Sequence, residues 1–230
     1  MAINSEIISD LAPTGSLRAS INLGNPVLAQ GTPDAPRGVS VAIAREVAAR
    51  LGVPVSFVVF DAARKSFEAM ASGRADICFL AIEPVREEQV AFTDPYVEIE
   101  GVYAVPVSSP ITSVADVDRP GVRIGVNKGS AYDLFLTRTL TAATLVRGDE
   151  GVDVFRAQGL EVAAGVRQPM TEVVAADPGL RMIDERFMAI RQAVGTTRDR
   201  KPETVAFLRS VVAELRENGF VEKALAHSDG

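Results

Sequence analysis

Arg86 closes the stretch Ala81-Ile82-Glu83-Pro84-Val85-Arg86. A guanidinium offers a planar fork of donors that matches a carboxylate two bonds at a time. Taken by itself, with Glu87 and Glu88 beside it, the residue also reads as a solvated surface arginine. Gly129-Ser130 opens a helical segment, with Ser130 as N-cap and Asp133 three residues on in a capping-box pattern. Such a turn attracts anions through its backbone N–H groups and the helix dipole, although an ordinary cap needs no ligand. Residues for nucleophilic chemistry are scarce. The one histidine, His227, lies three residues from the C-terminus, and the one cysteine, Cys78, sits in the apolar run Ile77-Cys78-Phe79-Leu80. A Ser-His-Asp or Cys-His machine and a zinc site are therefore not expected. Cys78 reads as a small buried hydrophobe, with no partner for an intrachain disulfide.

The elements that would position these residues alternate. Leu17, Ala19 and Ile21 alternate with polar neighbours as a half-buried strand does. Gly24 to Gly38 is rich in Gly, Pro and Asn and reads as a loop. Val41, Ala44, Ala48 and Leu51 recur at helical spacing before Gly52. A strand over 53–60, a helix around Phe67, Met70 and Ala71, and a buried strand over 75–81 follow. Strands separated by helices imply βαβ units and a parallel sheet. In such sheets ligands sit beyond the carboxyl ends of the strands, here near Asn22, Phe60 and Ala81. A second β/α run begins near Val102. It holds a strand over 122–126, strands near 144–146 and 161–164 with a helix between, a helix over 168–176 and a short strand over 181–183. Val205, Leu208, Val212 and Leu215 mark a long terminal helix. The whole is two α/β units of about a hundred residues each.

The 230 residues carry a net charge of −6, with 47% hydrophobic and 23% charged. That composition buries a core and argues against nucleic acid as partner, which needs a basic face. No stretch approaches the ~20 apolar residues of a membrane helix. Met1 to Glu6 has no basic or apolar signal region.

Two stretches, Gly38 to Gly52 running into Ala69 to Asp76, and Ala81 to Arg86 running into Ala91 to Tyr96, resemble family 3 of the bacterial extracellular solute-binding proteins. These are the polar amino-acid receptors of ABC importers. Val122 to Ser130 resembles the start of that family's second lobe, and Leu215 to Gly219 its close. The resemblance covers roughly residues 15 to 226. It implies an α/β, two-lobed, type 2 periplasmic-binding-protein-like fold, each lobe a mostly parallel sheet flanked by helices. Lobe 1 would hold residues 1–101 and 198–230, and lobe 2 residues 102–197, joined by crossings near Val102–Val105 and Ala193–Thr197. It further implies a ligand clamped by hinge closure, no cofactor, no metal, a monomer and an ABC permease as partner.

The resemblance carries site roles to particular residues. Arg86 would fork onto a ligand α-carboxylate, and Gly129 and Ser130 would meet the same group. Phe60 would form an aromatic wall, with Ala81 at its strand end and Arg64 adding positive charge nearby. Departures are informative. Glu83 stands where the family has Thr, so a carboxylate lies near Arg86 as its partner or as receptor for a ligand cation. The Asp-x-x-Tyr-Pro loop reads Asn22-Leu-Gly-Asn25-Pro26, without the charge and the aromatic. Arg167 stands where an Asp grips the ligand ammonium, and a guanidinium accepts no hydrogen bond. The expectation is a clamp for an amino acid or, given Arg167, an organic acid. An enzyme on the same scaffold, resembling the cyclohexadienyl dehydratases with Glu83 as general acid, and a soluble ligand sensor are the alternatives. The family points to the periplasm. The N-terminus, read as it stands, points to the cytoplasm.

Overall fold

A computed structural model describes residues 4–227. In chain order the first elements are α1 (Ser5–Leu11), β1 (Leu17–Asn22), β2 (Gln30–Thr32), β3 (Ala35–Arg37), α2 (Val39–Leu51), β4 (Val55–Phe60), α3 (Ala63–Ala71), β5 (Ile77–Ala81), α4 (Pro84–Glu87) and β6 (Val90–Phe92). Then come β7 (Val97–Pro106), β8 (Arg123–Asn127), α5 (Ala131–Thr139), β9 (Thr144–Gly148), α6 (Gly151–Gln158), β10 (Val162–Val166) and α7 (Arg167–Ala176). The chain ends with β11 (Leu180–Thr197), α8 (Pro202–Glu217) and α9 (Phe220–Ala226). It divides into two compact units, Met1–Val97 with Arg191–Gly230, and Glu98–Ile190. The chain passes from one to the other inside β7 and again inside β11.

In the first unit the strands run in the order β4-β1-β5-β11-β6. β1 pairs in parallel with β4 and β5, and the last residues of β11 run antiparallel to β5 and β6. α2 and α3 return the chain to the start of the next parallel strand, as βαβ connections do. α2 buries Val39, Ile43, Val47 and Leu51 at helical spacing and ends on Gly52 at φ 70°, a left-handed cap that glycine adopts without strain. Leu208, Val211, Val212 and Leu215 of α8 enter the same core, beside Leu17, Ile21 and Ile77. Gly195 is a close-approach position. A Cβ there would lie 2.4 Å from Val90 Cγ1 and 3.0 Å from Cys78 Sγ, so the side chains of the neighbouring strands close over β11 only because none intervenes. Cys78 is fully buried and burial pushes its thiol up to about 12, so it packs as a hydrophobe.

In the second unit the order is β7-β10-β8-β9, with β10 antiparallel to β7 and parallel to β8, and β8 parallel to β9. A core of Val102, Ala104, Phe155, Leu160, Ala163 and Met170 fills the space under α6 and α7. The turn leading into β9 is held by one side chain. Asp118 accepts from the backbone N–H groups of Thr141, Ala142 and Ala143 at 2.8–3.2 Å and from Thr141 Oγ1 at 2.9 Å. These donors, Ala143 first, hold the Asp118 carboxyl far below the ordinary value of 3.8. A carboxyl depressed on folding stabilises fully above its unfolded pKa and loses that contribution as pH falls through the folded value. Asp118→Asn should therefore lower the melting temperature at pH 7 and flatten the acid limb of a stability–pH profile below about pH 4. Melting curves of both proteins from pH 7 to pH 2 test this, and parallel profiles would refute it.

Two expectations are revised. The stretch 24–38 is not all loop, because β2 and β3 form a hairpin across Pro33-Asp34. Its strands are three residues each and rich in Gly and Pro, which conceals them. The short strand over 181–183 is the start of the 18-residue β11. Asp184-Glu185-Arg186 are exposed and interrupt the apolar pattern, which hides the continuation of the strand.

Candidate functional site

In the first unit the register Asn22↔Phe60 brings the carboxyl ends of β1 and β4 level, and β5 ends next to them at Ala81. The three strand ends expected to border a ligand thus share one edge of the sheet. Asn22 Oδ1 accepts from the Gly24 N–H at 2.8 Å. Gly24 has no room for a side chain, since a Cβ would sit 2.3 Å from the Asp61 carbonyl oxygen. Asn25 caps a short turn, its carbonyl accepting from Leu28 and Ala29, while its side-chain oxygen is buried without a protein partner. Phe60 is half-buried, and the Arg74 guanidinium lies 5.8 Å from its ring centroid, which engages the ring with a cation. Arg64 sits in the first turn of α3, where its charge helps hold the Asp61 carboxyl below its ordinary range, after Lys65.

Glu83 and Arg86 occupy the next turn. Glu83 is the N-cap of α4, and Pro84 fills the first helical position, where its missing N–H costs nothing. Arg86 returns to the strand end, its Nη1 donating to the Ala81 carbonyl at 3.0 Å. Both Glu83 and Arg86 are 2% exposed. Burial pulls the Arg86 guanidinium down to about 10, and the Glu83 carboxylate opposes that fall. Arg86 is thus charged at neutral pH and held beside a carboxylate. It is not the solvated surface arginine that its acidic neighbours allow.

In the second unit the N-terminus of α5 is already occupied by the protein itself. Ser130 Oγ accepts from the Asp133 N–H at 3.1 Å, and Asp133 Oδ2 accepts from the Gly129 N–H at 2.8 Å. Ser130 is the cap that the sequence predicts, but the reciprocal half of the capping box is replaced: the Ser130 N–H donates to the Asn127 carbonyl at 3.1 Å, and Asp133 takes the Gly129 N–H instead. Asp133 is also buried, and Arg147 Nε donates to both of its oxygens at 2.9 and 3.0 Å. The Gly129 donor is consequently committed to an internal carboxylate.

Arg167 opens α7 at the end of β10. Its Nε donates to Glu100 Oε2 on β7, and its Nη2 donates to the Asp184 carbonyl at 2.7 Å. Arg186 continues the row, 3.1 Å from Glu98 and 3.6 Å from Glu100. Sequence reasoning singled out Arg167 but missed the acids of this row, of which Glu100 is the one paired with Arg167. Their signal was present: Glu98-Ile99-Glu100 alternates within a strand, which puts both carboxylates on one face and buries Ile99. Among the described residues, no group of three or more His, Cys, Asp or Glu is placed to hold a metal ion, and no helix is long and apolar enough to cross a membrane.

Comparison with known proteins gives the fold and the family. Several solved structures share the fold across nearly the whole chain. The amino acid ABC transporter substrate-binding protein AbpA from Streptococcus pneumoniae, bound to L-arginine, matches at 18% identity and TM-score 0.76, covering 95% of this chain and 96% of that one. The ancestral amino acid-binding protein AncCDT-1, a precursor of cyclohexadienyl dehydratase, matches at 17% and 0.78, covering 96% and 98%. A histidine kinase sensor domain with similarity to periplasmic binding proteins matches at 19% and 0.76, covering 94% and 96%. At these identities the likeness is one of fold, that of the type 2 periplasmic-binding proteins. No curated protein matches the sequence. The model of one family matches residues 22–227, which takes in Arg86, the Ser130 cap and Arg167. The chain belongs to the bacterial extracellular solute-binding proteins, family 3.

Proposed function

We propose that the protein captures a small zwitterionic solute of the α-amino-acid class for an ABC importer, outside the cytoplasm, without changing it chemically. The observation that carries the ligand class is the pairing of both candidate arginines with internal acids. Glu83 accompanies Arg86, and Glu100 engages Arg167. Each unit therefore offers a cation together with an anion. A ligand with one charge of each sign suits that pattern better than a pure anion does, because an anion meets the internal carboxylates with repulsion. Arg86 would take the α-carboxylate as a bidentate fork. Glu83 would supply the acceptor that the arginine at 167 cannot. Arg167 acts as a positioned cation, with its charge offset in advance. Family membership supports solute capture, and the amino-acid binders among the structures of like fold support the class. An ABC permease is the partner that follows from this reading.

Calorimetric titration with two panels, α-amino acids and matched acids lacking the amine, tests the proposal. Amino acids should bind and the amine-free acids should not. Binding by the second panel alone would overturn the zwitterion reading and favour an organic acid. Glu100→Gln removes the charge that offsets Arg167 and should raise affinity for amine-free dicarboxylates by roughly tenfold, which is about 1.4 kcal/mol. Because Glu83 is a buried acid beside a cation, a dehydratase reading is tested in the same samples by the ultraviolet change of prephenate. No turnover is expected.

A further inference from the structure

A second concave site lies in the first unit, along β6 and the end of β11, with a volume of about 350 Å³. Arg191 of β11, Arg198 just past it and Arg209 of α8 line it, together with Glu87, Asp94 and the apolar side chains Ile82, Val90 and Phe92. Two of the three guanidiniums are oriented by main-chain acceptors. Arg198 Nη1 donates to the Glu87 carbonyl, and Arg209 Nε donates to the Phe92 carbonyl at 3.2 Å. Elsewhere arginines of this chain lie on carboxylates, as Arg18, Arg50, Arg123, Arg147 and Arg167 do. Among the described residues, no carboxylate forms an ion pair with Arg191, Arg198 or Arg209. Three cations from three segments thus converge on one cavity. The two carboxylates that also line it leave one positive charge in excess.

We propose that this cavity binds a phosphate group, free or carried on a small organic molecule. A carboxylate presents two oxygens and is satisfied by one guanidinium fork. A phosphate presents three or more acceptor oxygens around one centre, which suits donors approaching from three segments. Carbonyl bonds already spend part of the rotamer freedom of Arg198 and Arg209, which lowers the entropic cost of binding. The volume lies within the range of small-molecule sites, and Ile82, Val90 and Phe92 give an organic substituent an apolar wall. The site is separate from Arg86. The two touch through the chain, since Ile82 lines the cavity, its N–H donates to the Arg191 carbonyl at 2.9 Å, and Glu83 follows it.

The test is calorimetric titration of the full chain with inorganic phosphate, glycerol 3-phosphate and acetate, at constant ionic strength in chloride. Phosphate or glycerol 3-phosphate should bind saturably, and acetate should not. Tighter binding of the ester would assign the substituted ligand, and equal or weaker binding the free ion. Arg191→Gln combined with Arg209→Gln should weaken binding by roughly tenfold or more. Arg191→Gln alone serves if the double variant fails to fold, because Arg191 is exposed. Three results would overturn the proposal: no heat beyond the chloride control, equal binding of acetate, or an affinity unchanged in the variants. The last would place the anion elsewhere, Arg86 included.

Discussion

Asp76→Ala should destabilise the protein by about 3 kcal/mol, near the lower end of what removing one partner from a buried ion pair costs. Asp76 precedes β5 and its side chain is fully buried. Oδ2 accepts from the Arg18 backbone N–H at 2.8 Å and from Arg18 Nε at 3.1 Å. Oδ1 accepts from Arg18 Nη2 at 2.8 Å and from Arg200 Nη2 at 3.2 Å. Its backbone is tied as well, the N–H to the Arg18 carbonyl and the carbonyl to Thr196 Oγ1, each at 2.8 Å. One residue therefore fastens β1, β5, β11 and the segment leading into α8. Alanine would strip two guanidiniums of their counter-ion and leave a backbone donor unmet. Arg18 keeps 27% of its side chain in solvent and Arg200 13%, which lets water recover part of the loss and sets the estimate low in the range. Against a usual total of about 5–15 kcal/mol, the change is large. Urea titrations should show a lower midpoint with an unchanged slope. Asp76→Asn, which keeps an acceptor but no charge, should fall between. A midpoint unmoved by Asp76→Ala would show that the buried cluster repays no more than its own desolvation.

What was legible in the sequence follows from what local pattern can encode. The βαβ order of the first unit was legible because α2 carries its apolar residues at helical spacing and stops at Gly52, and because β5 is an unbroken apolar run. Arg86 was legible through a short motif on one turn, and Ser130 with Asp133 through cap spacing three residues apart. The partner that neutralises Arg167 was not, because Glu100 lies 67 residues away and only the pairing of β7 with β10 brings the two together. Gly129 shows a related limit. The spacing predicted Asp133 as a capping residue, but capture of the Gly129 N–H by that same carboxylate removes a donor that the anion reading had counted. Local spacing thus located the candidate turns. Long-range pairing determined how much of their charge is left for a ligand. The cavity at Arg191, Arg198 and Arg209 shows the same limit, since the sequence displays a basic run near Arg198 but not its convergence with α8.

Arg86→Met should abolish ligand binding, and a second substitution separates that loss from misfolding. Arg86 is among the largest fully buried side chains, and it donates to the Ala81 carbonyl within a turn that also buries Glu83. Removing it takes away the fork proposed for the ligand carboxylate and leaves Glu83 buried without its cation. A bidentate charge-assisted pair contributes about 3 kcal/mol or more when both bonds are lost, so affinity should drop at least about a hundredfold. The single variant should also melt lower, because an unpaired buried carboxylate costs several kcal/mol or takes up a proton. In Arg86→Met with Glu83→Leu both charges are gone and the volume is filled, so stability should return to near the parent value. Binding should not return with it. If the double variant is stable and still binds α-amino acids at parental affinity, Arg86 has a structural role and the ligand carboxylate is held elsewhere. If Glu83→Gln alone loses amino acids and gains binding of amine-free acids, Glu83 is the ammonium receptor. A reversed preference would return that role to the second unit, where Glu100 is the acid beside Arg167.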